Sequence, residues 1–127
     1  LSLLYPNLDY RNKFHQDHVF PKSFFTRSKL TRKAIPKDKH EFYLENYNYI
    51  GNLQLLEGIP NEEKAGKDFK EWLKSTYPDE QSRRNYMERH MIPDVDLDFK
   101  NFEEFFNKRS ELILDRLESL LLDDKSH

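Results

Sequence analysis

The sequence predicts a single α+β domain that is mostly helical, with two short strands and a long C-terminal helix. The length of 127 residues suits one domain. Ten Phe and seven Tyr can build a core, although 35% of the residues are charged. Apolar spacing is helical over most of the second half of the chain, and strand-like only in two short segments.

The first strand is predicted over residues 14–20, where Phe14 and Phe20 enclose a polar run. Pro21 ends it, because proline cannot donate a hydrogen bond to a strand ladder. The second strand is predicted over residues 52–57, where apolar and amide side chains alternate. The alternating residues are Leu53 and Leu55 against Asn52 and Gln54.

Helices are predicted where apolar residues recur at one-turn spacing. The predicted helices span residues 24–30, 41–47, 62–75, 79–90 and 99–122. The apolar face of the third consists of Ala65, Phe69, Trp72 and Leu73. The last helix has a wide apolar stripe that needs covering, by this domain or by sequence outside it.

Composition excludes several classes of protein. The chain contains no cysteine, which excludes a disulfide framework and a cysteine-based zinc site and fits a reducing cytosol. No apolar run approaches the roughly 18 residues of a membrane span, so we expect no membrane partner. The start resembles no signal peptide. Because it is Leu1 rather than Met, we expect a piece of a longer protein.

Charge is unevenly distributed along the chain. Residues 11–40 contain nine Lys or Arg and two Asp, whereas residues 94–124 contain ten acidic and four basic residues. This asymmetry is typical of a domain that meets a polyanion on one side. The alternative is that both segments are simply solvated faces.

Three polar side chains could form a hydrolytic site. The Asp17 carboxylate and the Asn61 amide oxygen, completed by waters or phosphate oxygens, suit Mg²⁺. The His18 imidazole could then take a proton from an attacking water. Neighbouring residues of a strand point to opposite sides, so Asp17 and His18 can share a site only if the strand bends or ends there.

Structural explanations for the same residues remain open. An Asp-His pair near a turn is more often a surface hydrogen-bonding pair than a catalytic one. Asn61 is an ordinary residue for a helix N-cap, and Asn52 after a glycine is ordinary turn chemistry. His15 is accounted for equally well as a packed or solvated histidine.

Three stretches occur in a recognisable order. They are His15-x-Asp17-His18-Val19-x-Pro21-x-Ser23, Gly51-Asn52-Leu53-x-Leu55-Leu56 and Asn61-x-x-Lys64. Together they resemble the HNH (His-Me finger, ββα-metal) nucleases, in particular the C-terminal domain of GmrSD-type modification-dependent (type IV) restriction enzymes. The core motif covers residues 14–74, and the closing segment 99–109 also looks like that family.

The resemblance implies a ββα-metal core: a two-stranded antiparallel hairpin of strands 14–20 and 50–56, then helix 61–74, with a helical extension over 79–124. It implies that His18 is the general base and that Asp17 and Asn61 bind one Mg²⁺ (or Mn²⁺) ion. Asn52 would brace the loop between the strands and help orient the base. Phosphate contacts are expected from Lys64, His15, Arg32 and Lys33.

The resemblance also implies a function. We expect a metal-dependent DNA endonuclease domain of restriction or phage defence, in the cytoplasm of a bacterium or archaeon, with an upstream nucleotide-binding regulatory domain. One alternative is a non-catalytic nucleic-acid-binding module on the same scaffold. Another is a helical assembly domain whose C-terminal helix pairs with a partner or with a second copy.

Overall fold

A computed structural model describes residues 4–5, 14–57, 64 and 66–125. For residues 14, 15, 57 and 123–125 it describes the backbone alone. The expected α+β class is confirmed, because these ranges contain an antiparallel pair of strands, a series of helices and a long C-terminal helix.

The two strands form the predicted hairpin. Strand β1 spans Phe14–His18 and strand β2 spans Leu53–Glu57, and they pair antiparallel with Asp17 opposite Gln54. β1 ends earlier than predicted, since the chain bends at residues 19 and 20. His18 is therefore the last residue of its strand.

The buried face of β2 is partly polar. Although Leu53 and Leu55 are the apolar half of the predicted alternation, both are only half-buried. Asn52 and Gln54 are fully enclosed and Leu56 is 5% exposed. Each buried amide must therefore find hydrogen-bond partners inside the protein.

Five α-helices have defined limits within the described ranges. They are α1 (Arg27–Arg32), α2 (His40–Asn46), α3 (Phe69–Thr76), α4 (Glu80–Arg89) and α5 (Phe102–Lys125). Side-chain oxygens of Thr26, Asp68 and Asp79 cap the first turns of α1, α3 and α4 by accepting backbone N–H groups.

The predicted helix over residues 62–75 is interrupted. Lys64 is helical, but Gly66 has a φ of 74°, which favours glycine, and Asp68 then caps the new helix α3. Phe69, Trp72 and Leu73 are buried on the predicted face. Ala65 and the N-terminal end of the predicted helix lie outside the described residues.

The core is aromatic and holds the end of β1. The ring of Phe20 lies 5.0–5.8 Å from four other rings, two of which are at the start of α5 and one in the short turn before it. Those rings belong to Phe69, Phe99, Phe102 and Phe105. Since Phe20 follows His18 by two residues, this packing anchors the chain just beyond the strand.

Helix α5 packs closely on the short turn Ile50–Asn52 that precedes β2. A Cβ atom at Gly51 would lie 2.7 Å from side-chain atoms of Phe106 and Ser110, so only glycine fits here unchanged. The buried Arg109 guanidinium donates to the carbonyls of Ile50 and His90. Burial lowers the pKa of Arg109 to about 10, which leaves it charged at neutral pH.

The C-terminal half of α5 is only partly covered. Ile113 is buried, whereas Leu114, Leu121 and Leu122 are 59–66% exposed. Within the described residues, no helix is both long and apolar enough to cross a membrane.

Candidate functional site

Asn52 braces the loop beyond β1 with its side-chain amide. Its Oδ1 accepts the backbone N–H of Phe20 at 2.9 Å, and its Nδ2 donates to the carbonyls of Phe20 at 3.1 Å and Tyr47 at 2.9 Å. Its own carbonyl accepts the backbone N–H of Val19. One buried amide thus ties the end of β1 to the segment after α2.

His18 is oriented by Asn48 rather than by Asn52. Its Nε2 lies 2.9 Å from Asn48 Oδ1, while the described contacts of the Asn52 side chain are all to backbone atoms. With the amide oxygen as acceptor, Nε2 carries a proton and Nδ1 retains a lone pair. Asn52 therefore acts on the imidazole only through the neighbouring backbone.

Two aromatic rings continue from the imidazole towards α1. The His18 ring lies 6.1 Å from the Tyr47 ring, and Tyr47 stacks on Phe25 at 5.2 Å. Phe25 immediately precedes Thr26, the N-cap of α1. The basic helix α1 is in this way packed onto the same segment that carries Asn48.

Asp17 is held by two donors on one oxygen. Gln54 Nε2 and Lys64 Nζ each lie 3.0 Å from Asp17 Oδ2, and the Asp17 side chain is 13% exposed. The contact with Gln54 follows from the hairpin register, which places the two residues opposite each other. Among the described residues, no hydrogen bond is donated to the other carboxylate oxygen, Oδ1.

Lys64 is a buried cation directed into the protein. Its side chain is 2% exposed, and its ammonium group also donates to the carbonyl of His18 at 2.7 Å. Burial lowers the pKa of Lys64, and the Asp17 carboxylate opposes that shift. These contacts make Lys64 a partner of the site's own residues, and its expected contact with a phosphate stays a prediction.

Gln54 is itself held from the far side. The Tyr86 hydroxyl of α4 donates to Gln54 Oε1 at 2.6 Å, and both residues are buried. Burial raises the pKa of Tyr86 well above its usual value, so the hydroxyl remains a donor. The chain of contacts is Tyr86, Gln54, Asp17 and Lys64.

The donor set can be compared with the expected divalent ion. Asp17 fits as one ligand, because its carboxylate reaches solvent and only Oδ2 has donors among the described residues. Asn61 and the side chain of His15 lie outside the part of the chain that the structure describes. Within that part, no cluster of three or more His, Asp or Glu could hold a metal ion.

Arg32 and Lys33 differ in their surroundings. Arg32, in α1, is exposed, whereas Lys33 is half-buried with its Nζ 3.8 Å from the centre of the Phe24 ring. Their expected phosphate contacts stay predictions. Three further cations of this segment are exposed: Arg27, Lys29 and Lys37. Lys39, in the same segment, forms an ion pair with Glu103.

The sequence did not single out three residues that now define the site: Asn48, Gln54 and Tyr86. Asn48 lies in a turn with no periodic signal. Gln54 alternates with leucines and was assigned to the polar half of β2. Leu56 was the available signal for Gln54. Residues two apart on a strand lie on the same face, so the buried Leu56 places Gln54 on the inner face as well.

No protein-family model matches the sequence, and a comparison with curated proteins finds no match either. These comparisons therefore assign no family to the chain.

Proposed function

We propose that this chain is a divalent-metal-dependent DNA endonuclease domain with His18 as general base, as its resemblance to the HNH nucleases implies. The observation that carries the proposal is the arrangement at the end of β1. A carboxylate and an imidazole are adjacent there at the last two positions of the strand, and a buried amide, Asn52, holds the backbone just beyond them.

The residues present supply the parts of a phosphodiester hydrolysis. Nδ1 of His18 accepts a proton from a water molecule, whose oxygen forms a new bond to phosphorus as the bond to the leaving oxygen breaks. Asp17 and Asn61 would hold the metal ion. When bound, Mg²⁺ supplies positive charge that stabilises the charge developing on the phosphate.

The basic segment around α1 favours the binding of a polyanionic substrate such as DNA. Exposed cations on and beside α1 lie on an element packed, through Phe25 and Tyr47, onto the segment that orients His18. Such cations neutralise backbone phosphates without reading sequence. A role in restriction or phage defence in a bacterial or archaeal cytoplasm, controlled by an upstream nucleotide-binding domain, belongs to the same proposal.

Cleavage of supercoiled plasmid tests this function. The wild type is expected to convert plasmid to nicked or linear DNA with Mg²⁺ or Mn²⁺ and not with EDTA. Asp17→Ala should lose that activity, whereas Asp115→Ala, an exposed carboxylate on α5, should retain it. Equal metal-dependent cleavage by both variants would reject Asp17 as a ligand, and no cleavage by the wild type would reject the nuclease function.

The exposed leucines of α5 favour a second role, self-association through this helix. Leu114 and Leu121 are seven residues apart and lie on one side of the helix, each 59% exposed. Sedimentation at several protein concentrations should show a larger species that Leu114→Glu with Leu121→Glu abolishes. A monomer at every concentration would reject this role.

A further inference from the structure

A buried hydrogen-bond relay runs from the core to the Asp17 carboxylate. The Tyr86 hydroxyl donates to Gln54 Oε1 at 2.6 Å, and Gln54 Nε2 donates to Asp17 Oδ2 at 3.0 Å. Tyr86 is 5% exposed and Gln54 is fully enclosed. The relay connects α4 to β2 and β2 to β1, so three elements determine where the carboxylate lies.

The direction of the relay is fixed by its two ends. An ionised carboxylate only accepts hydrogen bonds, so the amide nitrogen of Gln54 must face Asp17. The amide oxygen then faces Tyr86, whose hydroxyl can donate to it. Reversing the amide would place Gln54 Oε1 against Asp17 Oδ2 in a buried position and remove this donor from the carboxylate.

Within the described part of the chain, Oδ1 of Asp17 receives no hydrogen bond and is available to a ligand. Among the described residues, both donors to this carboxylate, Gln54 and Lys64, reach Oδ2. Gln54 is neutral, so it orients the carboxylate without the repulsion that the Lys64 ammonium exerts on a bound cation. Pinning one oxygen fixes the position of Oδ1, which is how surrounding hydrogen bonds orient metal-binding carboxylates.

We propose that Gln54 and Tyr86 are positioning residues that hold the Asp17 carboxylate ready for one divalent metal ion. This inference rests on the proposed function, because that function assigns Asp17 to the metal. The two residues act through Asp17 and touch neither the metal nor the DNA.

Direct binding of Mn²⁺ in the absence of DNA tests the inference. Free Mn²⁺ is measured by electron paramagnetic resonance during titration of the wild type, Tyr86→Phe, Gln54→Met and Asp17→Ala. The expected result is an affinity lowered about tenfold or more in Tyr86→Phe and Gln54→Met, and lost in Asp17→Ala. Tyr86→Phe removes a single oxygen, so it remains informative if Gln54→Met fails to fold.

Tyr43→Phe is the matched control. The Tyr43 hydroxyl is equally buried in the core and donates to the carbonyl of Phe99 at 2.8 Å, without contacting Asp17. This variant should bind Mn²⁺ within about twofold of the wild type, since the Tyr43 hydroxyl is not part of the relay that orients the carboxylate. The thermal unfolding of both tyrosine variants shows whether a lost buried hydroxyl alone explains the change.

Wild-type affinity in Tyr86→Phe and Gln54→Met would overturn the inference, as would the absence of Asp17-dependent Mn²⁺ binding by the wild type. An equal loss of affinity in Tyr43→Phe would overturn it too. Failure of the proposed function has a different signature: Mn²⁺ binds through Asp17 but no DNA is cut. In that case the inference is still decided by the relative affinities of the variants.

Discussion

Nε2 of the His18 imidazole lies 2.9 Å from Oδ1 of Asn48, a residue 30 positions later in the chain. The contact spans the gap between the end of β1 and the turn after α2. With the amide oxygen as acceptor, the contact orients the ring and places a proton on Nε2, so Nδ1 is the atom left to act as a base.

Asn48→Leu should therefore slow DNA cleavage without weakening DNA binding. The expected fall in kcat is about 10- to 100-fold, with KM nearly unchanged, because a group that orients a catalytic base acts on the chemical step. Asn48→Asp keeps an acceptor oxygen and should restore most of the rate. Asn85→Leu, which alters an exposed amide on α4, is the control, and an equal loss of kcat in it would contradict this role.

Asn52→Leu should destabilise the fold. The substitution leaves three backbone groups, the N–H and carbonyl of Phe20 and the carbonyl of Tyr47, without their partner. The expected loss in the free energy of unfolding is about 3 kcal/mol or more, since each buried unpaired group costs about 1–3 kcal/mol. Urea unfolding measures it. Asn46→Leu loses one contact, to the carbonyl of Phe42, and a loss as large as that of Asn52→Leu would argue against the brace.

The exposed arginines of α1 should contribute to the salt dependence of DNA binding. The plot of log K against log salt has a negative slope. Replacing Arg27 and Arg32 by Ala should make that slope shallower by about 2, if each arginine contacts one phosphate. Fluorescence anisotropy at several salt concentrations measures the slope. Arg84→Ala removes an exposed arginine already paired with Glu80 at 2.7 Å and should change it little. An unchanged slope in the double variant would place the DNA elsewhere.

His90 should make the protein less stable in acid. It is buried with its Nδ1 2.8 Å from the Tyr5 hydroxyl, and burial, assisted by the charge of Arg109, lowers the pKa of His90 to about 3. The unfolded state, with a pKa near 6.5, binds the proton first, so stability is lost as pH falls from about 6.5 towards 3.

Between pH 7.5 and pH 4.5 this single group should lower the free energy of unfolding by about 3 kcal/mol. In His90→Gln this loss of about 3 kcal/mol should disappear. The contribution of the carboxylates to the pH dependence should be the same in the variant and the wild type. Denaturant unfolding at the two pH values provides the comparison. Parallel pH profiles of the two proteins would show that His90 is not the responsible group.

Apolar spacing along the sequence predicted those helices and strands that are determined by residues close together in the chain. The apolar spacing of Phe69, Trp72 and Leu73 identified a buried helical face, whereas the end of the first strand was placed two residues too late, at Phe20 instead of His18. The break at Gly66 was missed, because an apolar period continues across a glycine whose left-handed φ ends the helix.

The long-range contacts of the site could not be predicted from the sequence. Asp17 and Gln54 are brought together by strand register, and Tyr86 reaches Gln54 only after α4 packs on the hairpin. Asn52 was expected from resemblance to a family to brace this loop and help orient the base; its side chain is hydrogen-bonded to the backbone of Phe20 and Tyr47, and its catalytic role stays a prediction. Asn48 was missed because a turn residue has no periodicity that reveals its partner.

The cleavage rate of His18→Ala under single-turnover conditions, with Mg²⁺ and the full chain, tests the central claim most directly. The expected rate is about 10²- to 10⁴-fold lower than that of the wild type, the range that a general base contributes, with DNA binding and thermal unfolding unchanged. Cleavage by His18→Ala at the wild-type rate, still dependent on the metal, would contradict it.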